Sequence, residues 1–441
     1  MRVLRTVLAG TAAAALAVTG SVFVTATAAS AAPVGAVGTF TPLAPSRILD
    51  TRSGNGAPQG IVPAGGTVNL QVNGRAGVPG ANVSAVVLNL TVTGAQGNGY
   101  LTAYPDGAAR PTAASISFAK GVTRANSVTV AVGASGVVKI FQSSLGAHII
   151  ADVAGYYSGD ENATPGSTYF PVTPFRQDDT RKDPDTGAPL APVPSQSWIS
   201  YAFTFDDPVV DSAVSAVAVN VTAVNPASSG YLTTWNGAGN PPAGVSAVNY
   251  GKGGIWPNSG VVPTAPCDFC GDPSLPMFGV YTSTTTHWLV DVFGVYFKDT
   301  IEGLKFKPVT PQRILDTRTG APVGVGNRVV NAPSTITPET VALSLNITAV
   351  KPTVNTYLTV YPNDGDDRPN VSTLNPFQGE TVSNGTNVLL SSTNDFLIYN
   401  NGGSLNVVAD MGGLFEFFPS DTARAAKSLP ELSGRVFSST R

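Results

Sequence analysis

The octapeptide Pro-Ser-Arg-Ile-Leu-Asp-Thr-Arg at Pro45–Arg52 occurs in related form twice more along this chain of 441 residues. The second copy is Pro-Phe-Arg-Gln-Asp-Asp-Thr-Arg at Pro174–Arg181, and the third is Pro-Gln-Arg-Ile-Leu-Asp-Thr-Arg at Pro311–Arg318. The copies begin 129 and 137 residues apart. Self-similarity at such a long period predicts tandem structural units.

Three further landmarks follow each copy of the octapeptide in the same order. The first contains Asn-x-Thr and ends at residues 91, 222 and 348, and the second is Tyr-Leu-Thr, ending at residues 102, 233 and 359. The third is an apolar stretch that ends in an aromatic residue, at 148–157, 287–297 and 406–415. We predict units at residues 38–158, 168–299 and 304–418, with short linkers around 158–167 and 298–303.

Short apolar stretches separated by Gly, Pro, Asn and Asp at intervals near ten residues predict strands throughout each unit. In the first unit these strands are Thr67–Val72, Val86–Thr93, Tyr100–Tyr104, Ser115–Phe118, Ser127–Val132, Val137–Phe141 and His148–Tyr157. No segment shows a helical period. We predict an all-β fold of three tandem antiparallel β-sandwich units of about 120 residues each. A single β-propeller with two blades per unit is the alternative, although such blades would be long.

Residues 1–31 have the features of a secretory signal peptide. Arg2 and Arg5 precede an Ala-rich apolar stretch, and Ala29-Ser30-Ala31 has the small-x-small pattern of a cleavage site. We therefore predict a secreted, extracellular protein. No later segment has ~18 unbroken apolar residues, so we expect no membrane span in the mature chain. The polar residues 419–441 predict a flexible tail.

The composition disfavours several functional classes. The chain has 25 Lys and Arg against 28 Asp and Glu, a formal net charge of −3, and only 12% charged residues. Nucleic-acid-binding proteins carry a basic face, so we expect no nucleic-acid partner. The two histidines, His148 and His287, stand in equivalent landmarks and are replaced by Asn406 in the third unit. We identify neither a His-based catalytic triad nor a metal site.

Two local sequences raise the question of a cofactor or a covalent cross-link. The acidic turns at residues 183–187 and 363–367 offer oxygen ligands that suit calcium, but neither matches a complete calcium-binding loop and such clusters also form ordinary turns. We otherwise expect no cofactor. Cys267 and Cys270 are the two cysteines of the chain. In an exported protein they predict a structural disulfide.

The motif Arg-Ile-Leu-Asp-Thr-Arg, together with the landmarks that follow it, resembles a repeat of secreted actinobacterial proteins. Similar units in that group are appended to exported hydrolases or stand alone in tandem. The resemblance covers about residues 38–418 and implies export and β structure, but no activity. The second unit departs from the pattern at Gln177-Asp178, so we expect its motif strand to pack differently.

The charged residues of the motif have two interpretations. They form either a repeated fork that binds carboxylates or sugars, or a framework in which arginines pair with an aspartate at the end of each unit. Their presence in all three units favours the framework. The residues are Arg47, Asp50, Arg52 and Asp152, then Arg176, Asp179, Arg181 and Asp291, and then Arg313, Asp316, Arg318 and Asp410. The Asn-x-Thr pairs similarly suit either a polar ligand groove or a hydrogen-bonded face.

The middle unit is the best candidate for a specialised function. It contains all four tryptophans and the longest insertion, Gly251–Met277, which carries Trp256 and both cysteines. Aromatic residues on loops of a rigid scaffold are common in binding sites, and an indole ring suits sugars or protein partners. We predict ligand binding by Trp256, Trp235 and Trp288, while a purely structural role for Trp256 stays open.

These features predict a non-catalytic binding protein that acts at or near the cell envelope and recognises a polysaccharide or a cell-surface protein. We identify no catalytic residue. The second hypothesis is a secreted hydrolase resembling a glycoside hydrolase, which needs two carboxyl groups ~5–10 Å apart. Asp206, Asp207 and Asp211 are available for that role. The third hypothesis is a structural spacer or assembly subunit.

Overall fold

The computed structural model describes residues 36–298, 301, 303–417 and 437–440, the last of these by their backbone alone. The predicted signal peptide and most of the predicted tail lie outside these residues. The described chain is all-β, as predicted, with antiparallel strands in six sheets. Its helical elements are Pro208–Ala213 (α1) and a 3-10 turn at Thr317–Thr319. None of its helices has the length and apolar character needed to span a membrane.

The first unit contains nine strands in two sheets. They are Phe40–Asp50 (β1), Val62–Pro63 (β2), Thr67–Gln71 (β3), Val83–Thr93 (β4), Gly99–Pro105 (β5), Ile116–Phe118 (β6), Arg124–Ala131 (β7), Val137–Gln142 (β8) and Gly146–Ser158 (β9). One sheet has the order β1-β9-β4-β7 and faces the other units, and we call it the inner sheet. The other has the order β3-β8-β5-β6, and we call it the outer sheet.

The second unit repeats this arrangement. Its strands are Thr168–Asp179 (β10), Ser197–Ala202 (β11), Val214–Val224 (β12), Gly230–Trp235 (β13), Val248–Tyr250 (β14), Ile255–Pro263 (β15), Ala265–Pro266 (β16), Pro276–Thr282 (β17) and His287–Phe297 (β18). The inner sheet has the order β10-β18-β12-β15, and the outer sheet has the order β14-β13-β17-β11. A strand from the C-terminal tail, described below, extends the outer sheet beyond β11.

The third unit has a smaller outer sheet. Its strands are Lys305–Asp316 (β19), Gly326–Asn331 (β20), Thr340–Val350 (β21), Leu358–Pro362 (β22), Thr381–Leu389 (β23), Asp395–Asn400 (β24) and Asn406–Glu416 (β25). The inner sheet has the order β19-β25-β21-β23, and the outer sheet has the order β20-β24-β22. Phe437–Thr440 (β26) belongs to the tail, where the sequence predicts no regular structure.

The two sheets of each unit share one hydrophobic core. In the first unit, Leu88 and Leu90 of the inner sheet are fully buried against Leu70, Leu101 and Ile140 of the outer sheet. The alternation of apolar and polar residues along the strands produces this burial, because successive side chains point to opposite faces. Each inner sheet also places the first and last strands of its unit side by side. The blade of a propeller, built from consecutive strands, does not have this order.

The three units are joined around a closed cycle of six aromatic rings. Neighbouring ring centroids are 4.2–5.1 Å apart, and every ring is at most 2% exposed. The cycle runs through Phe40, Tyr157, Phe306, Phe415, Tyr169 and Tyr296, two rings from each unit, and returns to Phe40. Buried aromatic pairs of this kind contribute strongly to packing. The three cores therefore meet in a fourth, shared core.

Backbone hydrogen bonds close the same cycle. Phe40 pairs with Ser167 at the start of the second unit, and Tyr169 pairs with Leu304 at the start of the third. The Phe306 amide then donates to the Gly38 carbonyl of the first unit, at 2.8 Å. Each unit thus contacts both of the others, and the described chain forms one body.

Candidate functional site

The first arginine of each motif pairs with the aspartate near the end of its own unit. Arg47 donates Nε to Asp152 Oδ1 at 2.9 Å and Nη2 to Asp152 Oδ2 at 3.1 Å. Arg313 makes the same two bonds to Asp410, at 2.9 and 3.2 Å. The pair in the second unit is Arg176 with Asp291. In each unit, the two residues face each other across the first and last strands.

Burial disfavours the ionised form of Asp152 and Asp291, and the arginine that faces each of them opposes this effect. Asp152, Asp291 and Asp410 are each 2% exposed. Burial raises the pKa of Asp152, and it raises the pKa of Asp291 to about 6, while the facing arginine lowers both. A buried carboxylate that has lost its partner is strongly destabilising. This geometry is that of the ion-pair framework.

The second half of the motif is an Asp-x-Arg turn. Asp50 Oδ1 accepts hydrogen bonds from both the backbone amide and the Nε of Arg52, at 3.0 and 2.9 Å. The bond from the Arg52 side chain lowers the pKa of Asp50. In the third unit, the equivalent bond from Arg318 lowers the pKa of Asp316 to about 2. Asp179 and Arg181 form the same turn in the second unit.

The asparagines of the Asn-x-Thr landmark bind the neighbouring unit. Asn89 Nδ2 donates to the Ser246 carbonyl of the second unit at 2.5 Å, and Asn220 Nδ2 donates to the Ser372 carbonyl of the third at 2.6 Å. The series closes where Asn346 Nδ2 donates to the Ala114 carbonyl of the first unit at 2.5 Å. The groove interpretation is therefore wrong for these asparagines, because they are part of the contact between units.

A second set of asparagines completes these contacts. Asn258 of the second unit donates to Asn89 Oδ1 at 2.8 Å, and Asn384 of the third donates to Asn220 Oδ1 at 2.8 Å. Asn126 of the first unit donates to Asn346 Oδ1 at 2.9 Å. Buried amide groups need such partners, since an unpaired one costs about 1–3 kcal/mol.

Trp256 lies in a regular strand, so the prediction that it stands on an inserted loop is wrong. It faces Ala223 across β15 and β12, the register that Arg124 has in the first unit. The Arg124 guanidinium lies 4.8 Å from the indole ring, and Phe377 of the third unit packs edge-on at 6.2 Å. Arg124 also pairs with Glu380 of the third unit. Trp256 is therefore a point where all three units meet.

Trp288 lies inside the core of the middle unit and explains its altered motif. Its ring is 0% exposed, and its Nε1 donates to the Tyr201 hydroxyl at 2.7 Å. That hydroxyl in turn donates to Asp178 Oδ2 at 2.7 Å. Asp178 replaces the buried leucine that the first unit has at Leu49. The polar motif of this unit thus supplies the acceptor for a buried Trp–Tyr pair.

Trp235 is 3% exposed and rests on a glycine. A Cβ atom at Gly279 would lie 2.5 Å from Cη2 of the indole, so the ring occupies the space above this glycine. Trp235 Nε1 donates to the Ala238 carbonyl at 3.3 Å. Of the three tryptophans predicted to bind a ligand, Trp235 and Trp288 are buried and Trp256 lies at the contact between units.

A row of aromatic residues lies on the outward face of the middle unit's outer sheet. Trp198 and Tyr281 are directly opposite on β11 and β17, and Tyr231 lies 6.2 Å from Tyr281 by ring centroid. Trp198 also packs edge-on against Trp235 at 6.5 Å. Trp198, Tyr231 and Tyr281 are each partly exposed. We call these three residues and Trp235 the aromatic platform.

The other two units carry a smaller version of this feature. Tyr100 and Phe141 are 6.1 Å apart in the first unit, and Tyr357 and Tyr399 are 6.1 Å apart in the third. An arginine lies over each pair, with Arg110 3.8 Å from the Phe141 ring. In the third unit Arg368 is 4.2 Å from the Tyr399 ring. The Tyr-Leu-Thr landmark is the sequence signal for these pairs, because alternation places its tyrosine on the face opposite the buried leucine.

The loop that contains the disulfide covers part of the same outward sheet face, next to the aromatic platform. Cys267 and Cys270 are joined by a disulfide, and they pack with Ala202, Leu275 and Met277 in a separate small core. Beside this loop is a cleft of about 310 Å³, whose lining includes five prolines together with Asp211, Ser212 and Lys298.

The carboxylates proposed for a hydrolase have local roles. Asp211 accepts hydrogen bonds from Thr204 Oγ1 at 2.7 Å and from the Phe205 amide at 2.6 Å. Asp207 is the N-cap of α1 and accepts from the backbone amides of Val209 and Val210. Asp206 adopts a left-handed backbone conformation, with φ of 58°. The hydrogen bonds of Asp207 and Asp211 therefore stabilise this turn.

The histidines and the acidic turns also have structural contacts. His148 Nδ1 lies 3.1 Å from Thr51 Oγ1, and in the third unit Asn406 Oδ1 accepts from the equivalent Thr317 at 3.1 Å. Asp183 Oδ1 accepts from the amide and the hydroxyl of Thr186 within its own turn. In the described part of the chain, no group of three or more His, Cys, Asp or Glu side chains is placed to hold a metal ion.

Comparisons with known proteins place the chain in no family. No family model matches it, and no curated protein matches it. Among solved structures, the chain is similar to one from work on the triple jelly roll fold and turret assembly in an archaeal virus. The two sequences are 7% identical and the TM-score is 0.16. That match covers 86% of this chain and 90% of the other. A structure of Sulfolobus Turreted Icosahedral Virus matches with 8% identity, a TM-score of 0.15, and 86% and 91% coverage. These TM-scores are too low to support a shared fold.

Proposed function

We propose that this protein is an exported, non-catalytic binding protein that recognises a polysaccharide or another polymer of the cell envelope through the aromatic platform. The observation that supports this proposal is the row formed by Trp198, Tyr231 and Tyr281 on an outward sheet face. Flat aromatic rings with a polar edge suit sugar rings, whose faces are apolar and whose rims carry hydroxyls.

The platform is pre-organised for such a ligand. Its rings stand on adjacent strands of an antiparallel sheet, and Trp198 is held edge-on by the buried Trp235. A ligand that docks on rings already fixed in place avoids much of the cost of ordering them, which is about 0.5–1.5 kcal/mol for each side chain. The binding position thus differs from the one predicted around Trp256, but the middle unit is the same.

The smaller pairs on the other units would add to the affinity for a long polymer. Each unit of the folded chain carries one aromatic site. These sites are Tyr100 with Phe141 in the first unit, the platform in the second, and Tyr357 with Tyr399 in the third. A polymer bound at one position is present at high effective concentration for the others, which raises the overall affinity without a new contact.

A pull-down on insoluble polysaccharides and actinobacterial cell walls tests this function. The mature protein is compared with Trp198→Ala, with Tyr231→Ala combined with Tyr281→Ala, and with Leu145→Ala as a control. Leu145 is 72% exposed and lies on the first unit, so its removal changes an apolar surface elsewhere. We expect retention of the unaltered protein and of the control, and at least a tenfold loss for the platform variants, which corresponds to about 1.4 kcal/mol of binding free energy.

Circular dichroism and thermal melting of each variant show whether its fold is intact. Equal retention of well-folded platform variants would remove the platform from the proposal. Failure of the unaltered protein to bind any matrix would favour the second candidate, an assembly subunit. The closed series of contacts between units supports that candidate, because it makes the chain a rigid building block.

A further inference from the structure

The C-terminal strand β26 joins a sheet that belongs to a different part of the chain. Phe437–Thr440 pairs antiparallel with β11, with Ser439 opposite Ser200 and Thr440 opposite Ile199. Every other named strand in the described residues lies in a sheet built within its own unit. The outer sheet of the middle unit therefore accepts a strand from outside that unit.

The edge strand β11 differs in sequence from its counterparts in the other units. β3 reads Thr-Val-Asn-Leu-Gln, which is polar at alternate positions but carries no charge, and β20 reads Gly-Asn-Arg-Val-Val-Asn, whose arginine discourages pairing at an exposed edge. β11 reads Ser-Trp-Ile-Ser-Tyr-Ala: like β3 it has no charged residue, but it alone of the three carries aromatic residues, which favour strand pairing. An edge of this kind presents unpaired backbone groups to any extended donor. Here the donor is the C-terminus of the chain.

The connection to β26 does not fix which molecule supplies the strand. Residues 418–436 separate it from the last residue described in the third unit, Phe417. A connection of 19 residues spans up to about 65 Å when fully extended. The cost of closing a connection rises only slowly with its length. A strand on such a connection can reach the β11 edge of its own copy or that of a neighbour.

We propose that β26 is exchanged between copies, so that the C-terminal strand of one molecule completes the outer sheet of the middle unit in a second molecule. The exchanged strand keeps the register seen here, with Ser439 opposite Ser200. Exchange of an identical element is a low-cost route to assembly, because it reuses contacts that already exist. The exchange produces a reciprocal dimer when two copies swap strands with each other, and a longer head-to-tail assembly when they do not.

Cysteine trapping across the β11–β26 pair tests the exchange. One preparation carries Ser200→Cys and a second, of distinguishable mass, carries Ser439→Cys. Directly opposed residues in an antiparallel pair have Cβ atoms about 4.5–5.5 Å apart, within reach of a disulfide after small adjustments. We expect the mixture to form a disulfide-linked dimer that contains one chain of each mass.

Asn69→Cys supplies the matched control, because Asn69 lies on β3 at the position that Ser200 has on β11. Its mixture with Ser439→Cys is expected to give only background linkage. The proposal is overturned if Ser200→Cys gives no more mixed dimer than Asn69→Cys at any protein concentration. It is also overturned if the double variant Ser200→Cys/Ser439→Cys closes only within one chain.

A second measurement needs no added cysteine. Proline at Ser438 and Ser439 removes two successive backbone donors, one of which faces β11. Light scattering of the unaltered protein is expected to show mass rising with concentration, and Ser438→Pro/Ser439→Pro is expected to stay at the mass of one chain. Ser438→Ala/Ser439→Ala keeps the amides and is expected to behave like the unaltered protein. Equal association of the proline variant would contradict the exchange.

Discussion

One aspartate in each motif faces two arginines, which couples its ionisation to folding. In the third unit, Asp316 Oδ2 lies 2.5 Å from Arg318 Nη2 and 3.3 Å from Arg313 Nη1. The pKa of Asp316 is lowered to about 2, below its unfolded value near 4. The ionised carboxylate therefore stabilises the fold fully above about pH 4, and this stabilisation is lost as the pH falls through about 2.

Asp316→Asn removes this titration while keeping the shape of the side chain. The Arg318 side chain is 47% exposed, so solvent screening limits the expected loss at pH 7 to about 1 kcal/mol or less. Urea unfolding at pH 7, 4 and 2.5 measures the difference between the two proteins. We expect that difference to shrink between pH 4 and 2.5, and a constant difference across this range would refute the coupling.

At the scale of single elements, the disulfide stabilises a loop that packs on one face of the middle unit's outer sheet. Cys267 and Cys270 close a very short loop, so the chain-entropy model gives a stabilisation of about 2 kcal/mol. The loop packs on Ala202 and Met277, outside the main core of the unit.

Cys267→Ser/Cys270→Ser is therefore expected to loosen residues 264–276 without unfolding the unit. Limited proteolysis should cut this loop faster in the variant, while the melting temperature falls by only a few degrees. Val209→Ala, an exposed change on α1, serves as the control. Global unfolding of the double variant at room temperature would show that the loop has a wider role.

The strands show which elements a sequence pattern can predict. In the first unit, the seven predicted strands match the observed ones to within a few residues, because alternation and turn residues agree there. In the middle unit, Pro257, Gly260 and Pro263 interrupt the alternation of apolar and polar residues along β15. The sequence therefore predicts a loop where the structure has this strand. β15 tolerates these residues because it is the last strand of its inner sheet, where a missing amide leaves no ladder bond unmade.

At the scale of the whole molecule, the arrangement of the units could not be predicted from the repeat. Asn89 and Asn346 bind carbonyls 157 and 232 residues away, and no local pattern specifies such partners. Of the aromatic platform, the sequence analysis named Trp235 but not the partly exposed Trp198, Tyr231 and Tyr281, for the same reason. Trp198 and Tyr281 are neighbours only because β11 and β17 pair, whereas the longest insertion in the sequence predicted a binding site at Trp256.

The shared aromatic core predicts that the first unit stays bound after the chain is cut. A protease site inserted between the exposed residues Glu161 and Asn162 allows cleavage of the first linker. We expect the two pieces to elute together in size-exclusion chromatography, because Tyr296 packs on Phe40 and hydrogen-bonds to Tyr157 of the first unit.

Tyr296→Ala in the cleaved protein supplies the comparison. Removal of this ring is expected to cost about 3–5 kcal/mol and to release the first unit. Elution of the first unit alone from the cleaved but otherwise unaltered protein would show that the linkers, and not the core, hold the molecule together.

The order of the contacts between units has a consequence for how such a molecule can diversify. Three separate copies of one unit that made the same head-to-tail contacts would form a cyclic homotrimer with identical lobes. Joining the lobes in one polypeptide removes the requirement that they be identical. The interior positions must still match their neighbours, but each outer face is free to change by itself. The outer face of the middle lobe differs from the other two in this way. In the described chain, it alone carries tryptophans, a disulfide and an edge that accepts a further strand.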